Sequence, residues 1–165
     1  MVTLEELLAS IGVDAAIFFL VARRNDSALD LDLEKAKLKS EENPVYYVQY
    51  AHARIHSILK RAEEEGVGCA ATDKFGTLQD QERELVLKLI EFPRVVRNAA
   101  KTRGPQRLTA YSRELAAIFH VFYHNCPVIK AAPDTAAFRL NLCRLTGSVI
   151  AVCLDLVGVE APISM

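Results

Sequence analysis

The stretch Asn43-Pro44-Val45-Tyr46-Tyr47-Val48-Gln49-Tyr50-Ala51-His52-Ala53-Arg54-Ile55 decides the fold. Asn43 is an N-cap, because its side-chain oxygen can accept from a backbone N–H that the first helical turn leaves orphaned. Pro44 suits the first helical position, where its missing N–H costs nothing. Stepping by three and four residues places Tyr47, Tyr50, Arg54, Ser57 and Arg61 on one face. The opposite stripe is Val48, Ala51, Ile55, Ile58, Leu59 and Ala62, which is apolar and requires a core. The sequence therefore predicts a long helix from Pro44 to about Glu65, with Gly66 and Gly68 ending it. Aromatic rings interleaved with guanidinium groups on its outer face suit unstacked bases and phosphate.

Outward from this helix, the same periodicity recurs in both directions. Thr3 and Glu6 form a capping box for a short helix that stops at Gly12. Asp14 is placed to cap a second helix over residues 15–22, apolar nearly all round. Asn25-Asp26-Ser27 reads as a turn, and Leu29-Asp30-Leu31-Asp32-Leu33 alternates strictly enough for a short extended segment. A third helix is expected over residues 33–39. Residues 66–77 are the most loop-like part of the chain. Thr77 or Asp80 would then cap a helix reaching Phe92, with Pro93 breaking it and opening another from Arg94 to about Arg103-Gly104. Pro105 starts a long amphipathic helix through Leu108, Tyr111, Leu115, Ile118, Phe119, Phe122 and Tyr123, stopped by Pro127. Residues 131–134 form a turn, and a last helix spans residues 135–157 with Gly158 as its C-cap. The fold class is all-α: a helical bundle behind a short helical lead-in.

Composition bounds the chemistry. The 165 residues are the size of one domain with a real core, 51% hydrophobic and 25% charged. The net charge of −1 is neutral overall but unevenly distributed. Residues 1–91 carry 11 Lys and Arg against 17 Asp and Glu, a balance of −6; residues 92–165 carry 9 against 4, a balance of +5. Between Phe92 and Arg113 lie Arg94, Arg97, Lys101, Arg103, Arg107 and Arg113 with no acidic residue. That basic segment fits either a polyanionic partner or a solvated helix face. The four cysteines, Cys69, Cys126, Cys143 and Cys153, make no C-x-x-C pair and read as reduced thiols of a cytosolic protein, most of them core filler. The longest apolar runs, residues 15–22 and 149–154, fall short of the roughly 20 residues a membrane span needs. No phosphate loop, nucleotide fingerprint or nucleophile elbow occurs. His52/His56 and His120/His124 have the i, i+4 spacing of a metal-binding helix face, with Cys126 beside the second pair. Neither has a carboxylate to complete a site, so no metal is expected.

With these elements in place, the chain resembles the C-terminal part of an arginyl-tRNA synthetase. The residues that carry the resemblance run in family order: Val2-Thr3-Leu4-Glu5-Glu6-Leu7-Leu8 with Gly12-Val13-Asp14-Ala15-Ala16; Leu29 to Leu33; the Asn43 to Ile55 block; Glu114-Leu115-Ala116 with Phe119, Phe122-Tyr123 and Cys126; and Leu154-Asp155-Leu156-Val157-Gly158-Val159 with Ala161-Pro162 and Met165. Cysteinyl-tRNA synthetases share the bundle type but not the Asn43 to Ile55 block. The resemblance implies lead-in helices over residues 1–40 and a helical DALR-type anticodon-binding bundle over residues 41–165. It implies tRNA(Arg) and the parent's own catalytic domain as partners, in a cytoplasmic, monomeric, ATP-dependent ligase that charges tRNA(Arg). ATP and arginine belong to the parent; for this chain no cofactor, no membrane and no aminoacylation are expected. The catalytic domain would lie upstream, with Met1 a start introduced by a cut.

Carried over residue by residue, the resemblance assigns anticodon contacts to Tyr50 and Arg54, to Tyr123 and Val128, and to Met165. Gln49 could read a base or bond a neighbour, and Tyr123 is alternatively a core aromatic. Tyr46 and Tyr47 read as helix packing. Two positions depart from the family pattern. Ile17 stands where the family has Arg, which bears on coupling to a catalytic domain. Ile163-Ser164 stands where the family has Glu-Arg, which bears on how the tail and Met165 are anchored. The competing reading is a helical protein-interaction or assembly module, drawn from the apolar residues 17–20.

Overall fold

A computed structural model describes residues 3–24, 32–38, 40, 42–68 and 77–165. Among these are seven helices and no strand: α1 (Leu4–Ile11), α2 (Val13–Val21), α3 (Leu33–Lys37), α4 (Pro44–Glu64), α5 (Asp80–Thr102), α6 (Gln106–Asn125) and α7 (Pro133–Leu156). The all-α expectation holds. The turn at 25–27, the alternating residues 29–31, Cys69 and most of the loop before α5 lie outside the described residues.

α4 begins as its sequence dictates. Asn43 Oδ1 accepts from Val45 N at 3.3 Å, and its Nδ2 donates to Ala36 O and Leu38 O at 2.9 and 3.0 Å, so the cap also fastens α3. Val48, Ala51, Ile55, Ile58 and Ala62 are buried, as the apolar stripe required. They meet α7, whose Leu140, Cys143, Ile150, Cys153 and Leu154 belong to the same core. Gly147 permits the close approach of the two helices: a Cβ there would stand 3.0 Å from Ile55 Cγ2. α6 closes the core with Leu115, Phe119 and Phe122, each fully buried. α5 packs chiefly along α6 and α1–α2 lie against the α4 side of the bundle. α7 is long and apolar enough to cross a membrane by length and composition, but 56% of its apolar window is buried inside the bundle. It is the core helix of this fold.

Four local expectations are corrected. Pro93 does not break the chain into two helices; α5 runs through it to Thr102. Pro93 is exposed, and Phe92, Val95, Val96 and Ala99 keep an apolar face on the core on both sides of it. Continuous packing on α6 thus outweighs the roughly 3 kcal/mol that an interior proline costs. Tyr111 Oη donates to Lys88 O at 2.7 Å in the turn just before it. Second, the cap of α5 is Gln79, not Thr77 or Asp80; the Glu82 carboxylate reaches back to Gln79 N at 2.8 Å. Third, Asp14 does not cap α2, which starts at Val13 after Gly12. Its carboxylate accepts instead from Gln49 Nε2 at 2.7 Å and Glu160 N at 3.4 Å. Fourth, α7 starts at Pro133, two residues early, because proline is already shaped for the first helical turn. The Thr3–Glu6 capping box forms as read.

Candidate nucleic-acid interface

Tyr50 and Arg54 are one turn apart on α4, and both are half-buried. Arg54 Nη2 donates to Tyr50 Oη, and Arg54 Cζ lies 5.3 Å from the Tyr50 ring centroid. From α6, the Tyr123 ring approaches the same guanidinium at 5.5 Å. The bond to Tyr50, more than any other neighbour, raises the Arg54 pKa above its ordinary value, so the cation is permanent. Behind the tyrosines the rings continue: Tyr50 stacks on Tyr46 and on His120 at 6.3 and 5.9 Å, and Tyr123 stacks on Phe119 at 6.1 Å. Tyr47 packs against His120 at 4.9 Å. These contacts immobilise the rings before any ligand arrives, which lowers the entropy cost of binding.

The guanidinium opens onto a cleft of about 420 Å³ between α4 and the end of α6, bordered by Arg54, Ser57, Arg61, Tyr123, Val128 and Lys130 among others. Three of the residues predicted from sequence, Arg54, Tyr123 and Val128, thus line one concavity, with Tyr50 bonded to its edge. Val128 is itself 4% exposed, so it offers backbone and shape more than a free side chain. Cations on two sides, an aromatic face and an apolar floor are what a flipped-out base next to phosphate requires.

The other predicted residues lie elsewhere. Gln49 is buried, and its amide donates both to Asp14 Oδ2 at 2.7 Å and to Glu160 O at 2.9 Å. Of its two readings, the neighbour bond is the one the structure displays. Met165 is exposed and borders a groove with Ser10, Asp14, Asn43, Tyr46 and Gln49, outside the Arg54 cleft. The tail is nevertheless anchored without the Glu-Arg pair: Glu160 N bonds Asp14, and His52 Nδ1 donates to Pro162 O at 2.8 Å. The basic residues gather at the opposite end of α6. Arg103, Arg107 and Arg24 border a second concavity at the α5–α6 corner. Arg103 to Tyr123 is roughly 30 Å along the chain at 1.5 Å per helical residue. Arg97, Lys101 and Arg113 are exposed, and Arg94 pairs with Glu91 at 3.3 Å.

One set of residues escaped the sequence reading. Glu82 on α5 and Arg139 on α7 are buried, 3% and 5% exposed, and Arg139 Nε donates to Glu82 Oε1 at 2.7 Å. Arg139 Nη1 donates to Pro127 O at 2.7 Å, and Cys126 Sγ to Gln79 Oε1 at 3.1 Å. Burial pushes the Cys126 thiol up. The signal was present: Arg139 stands among Ala136, Ala137, Leu140 and Cys143, all buried, and a cation there demands an acidic partner. As for metals, no group of three or more His, Cys, Asp and Glu is assembled among the described residues. Cys126, Cys143 and Cys153 are buried and form no disulfide, and burial pushes Cys153 up to about 12.

Fold and cleft define a class: a helical bundle that presents a preorganised aromatic–guanidinium cleft at one end and a basic corner at the other. The model of the DALR anticodon binding domain matches residues 48–165, and the chain belongs to that family. It is 43% identical over 164 residues to an arginine–tRNA ligase of Dehalococcoides mccartyi and 45% identical over 167 residues to one of Acidithiobacillus ferrooxidans. Each alignment covers 99% of this chain but only 30% and 29% of the relative. Among solved structures, Thermus thermophilus arginyl-tRNA synthetase superposes with a TM-score of 0.82 at 31% identity, over 94% of this chain and 27% of that one.

Proposed function

We propose that this chain recognises the anticodon loop of tRNA(Arg), as the C-terminal part of an arginyl-tRNA synthetase. The observation that carries the proposal is the Arg54 guanidinium held against the Tyr50 and Tyr123 rings at the mouth of the cleft. A base drawn out of the loop stacks on the exposed ring surface while Arg54 bonds its edge or its phosphate. The basic corner at the start of α6 follows the backbone and supplies affinity without reading sequence. By itself the chain binds RNA and does not charge it; ATP and arginine are handled by the parent's catalytic domain, in a cytoplasmic monomer. Val13 and Leu20, exposed on α2, and Leu38, exposed beyond α3, give the lead-in an apolar surface for that domain.

The test is filter binding of tRNA(Arg) and of the same tRNA with its second anticodon base changed, across a salt series. Discrimination of about tenfold, the worth of one good base contact, is expected. Lys101→Ala should weaken both tRNAs alike and reduce the salt slope by about 0.7–0.9. Equal affinity of the unaltered chain for both tRNAs defeats anticodon readout and leaves electrostatic adhesion alone. Growth of particle size with concentration in light scattering would favour the assembly module instead.

A further inference from the structure

We infer that Arg139 is a positioning residue for the cleft: clamped to Glu82, it fixes the Pro127 carbonyl and so the 127–130 wall of the site. The inference rests on the anticodon reading above and extends it to a pair of residues that line no part of the cleft.

Pro127, Val128, Ile129 and Lys130 form the side of the cleft that faces Arg54 and Tyr123. These residues leave α6 at Cys126, where the backbone turns extended, and they belong to no helix until α7 starts at Pro133. Pro127 has no N–H, so the start of the wall cannot be held through a backbone donor. What holds it is side-chain chemistry from two other helices. Arg139, on the first half of α7, donates Nη1 to Pro127 O. The same planar guanidinium donates Nε to Glu82, so its orientation is not free to vary. Glu82 in turn is fixed by accepting from Gln79 N, and Gln79 accepts from Cys126. The bonds close a ring through α5, the end of α6, the wall and α7. Val128 and Ile129 already pack on the core, but apolar packing is non-directional and leaves the aim of the Pro127 carbonyl unset in a connection between helices. A buried ion pair is weak support for stability, since an apolar pair of similar size often serves as well. What this pair adds beyond stability is the aim of the Pro127 carbonyl.

The experiment separates the two roles. Glu82→Leu/Arg139→Met removes both charges together and leaves none buried without a partner, so the fold survives. Arg139→Lys serves as the second variant, keeping a cation beside Glu82 without the planar fork. Two readouts are taken. Without RNA, the methyl resonances of Val128 and Ile129 are followed by NMR; with RNA, the affinity ratio for tRNA(Arg) and its anticodon-changed form is measured. Expected are a melting temperature lowered in the double variant by no more than the loss of the Gln79–Glu82 cap of α5, shifted and broadened Val128 and Ile129 methyls, and a ratio falling from about tenfold to near one. Binding of the anticodon-changed tRNA should be unaltered, which a merely structural defect would not spare. Unmoved methyls in both variants overturn the inference, as does a preserved ratio. Should the unaltered chain show no discrimination, the anticodon reading fails by that result, while the RNA-free spectra still decide whether Arg139 sets the wall.

Discussion

Arg54 is the residue on which the site turns, and its chemistry is not that of a generic cation. Its guanidinium bonds one tyrosine hydroxyl and lies near two rings, so it is aimed before RNA arrives. Arg54→Ala should remove the bond to the base or phosphate and free Tyr50 to move. Tyr50→Ala should remove the stacking surface and release Arg54. Each is expected to cost about 1–3 kcal/mol in affinity for tRNA(Arg) and much less for the anticodon-changed tRNA. The double variant should lose less than the sum, because the two side chains act as one unit. Isothermal titration of the four proteins against both tRNAs checks this. Gln49, one residue before Tyr50, is the internal control: its amide holds Asp14 and Glu160, so its loss belongs to stability. The sequence placed Tyr50 and Arg54 on one face because helical spacing fixes that directly. It left Gln49 undecided because the partners that satisfy its amide lie 35 and 111 residues away.

At the scale of elements, α4 and α7 are held at their separation by one missing side chain. Gly147 gives α7 no Cβ where Ile55 of α4 comes against it, and Ile55 is 1% exposed with nowhere to retreat. Gly147→Val should therefore lower stability by about 1–3 kcal/mol through overpacking, although the new residue is the better helix former. Urea unfolding monitored by circular dichroism measures the loss, and an unchanged midpoint would contradict the close approach. Elements were the most legible level of this sequence. Capping boxes, N-terminal prolines and apolar stripes act within a turn or two, so α1, α4 and α6 could be read locally. The failures have the opposite character. Pro93 is a local break signal overridden by packing against α6, and Asp14 is a local cap signal diverted to partners far along the chain. Tertiary contacts won in both cases.

For the whole molecule, the acidic first half and basic second half of the sequence do not stay apart in the fold: Arg24 of the first half joins Arg103 and Arg107 at one corner, while Arg54 and Arg61 of the first half meet Lys130 at the cleft. The Arg54 cleft and the corner at Arg103 and Arg107 occupy opposite ends of α6, so under the proposed reading substitutions at one end should alter specificity and at the other affinity. What the linear reading could not supply was the closure of the ends onto α4. His52, 4% exposed, donates to Pro162 O, and burial lowers its pKa below the ordinary 6.5, helped by the neighbouring His56. A lowered pKa in the folded state means that the unfolded chain takes up the proton first. His52 therefore adds nothing adverse above about pH 6.5, and stability is lost as pH falls from there through the lowered value. Melting temperature should decline on acidification below about pH 6.5, and His52→Gln should flatten that part of the decline. An identical slope in the two proteins would remove His52 from the account.

The Asp14 carboxylate has a consequence in the time domain. It accepts from Gln49 and from Glu160, so a lead-in helix, the central helix and the tail share one acceptor across 146 residues of chain. Neither end can peel away without leaving the other's bond incomplete. Segments coupled in this way open together and not by independent fraying. In native-state hydrogen exchange, the amides of α2 and those of residues 157–160 should report one common opening free energy, so the ends of the described fold breathe in step.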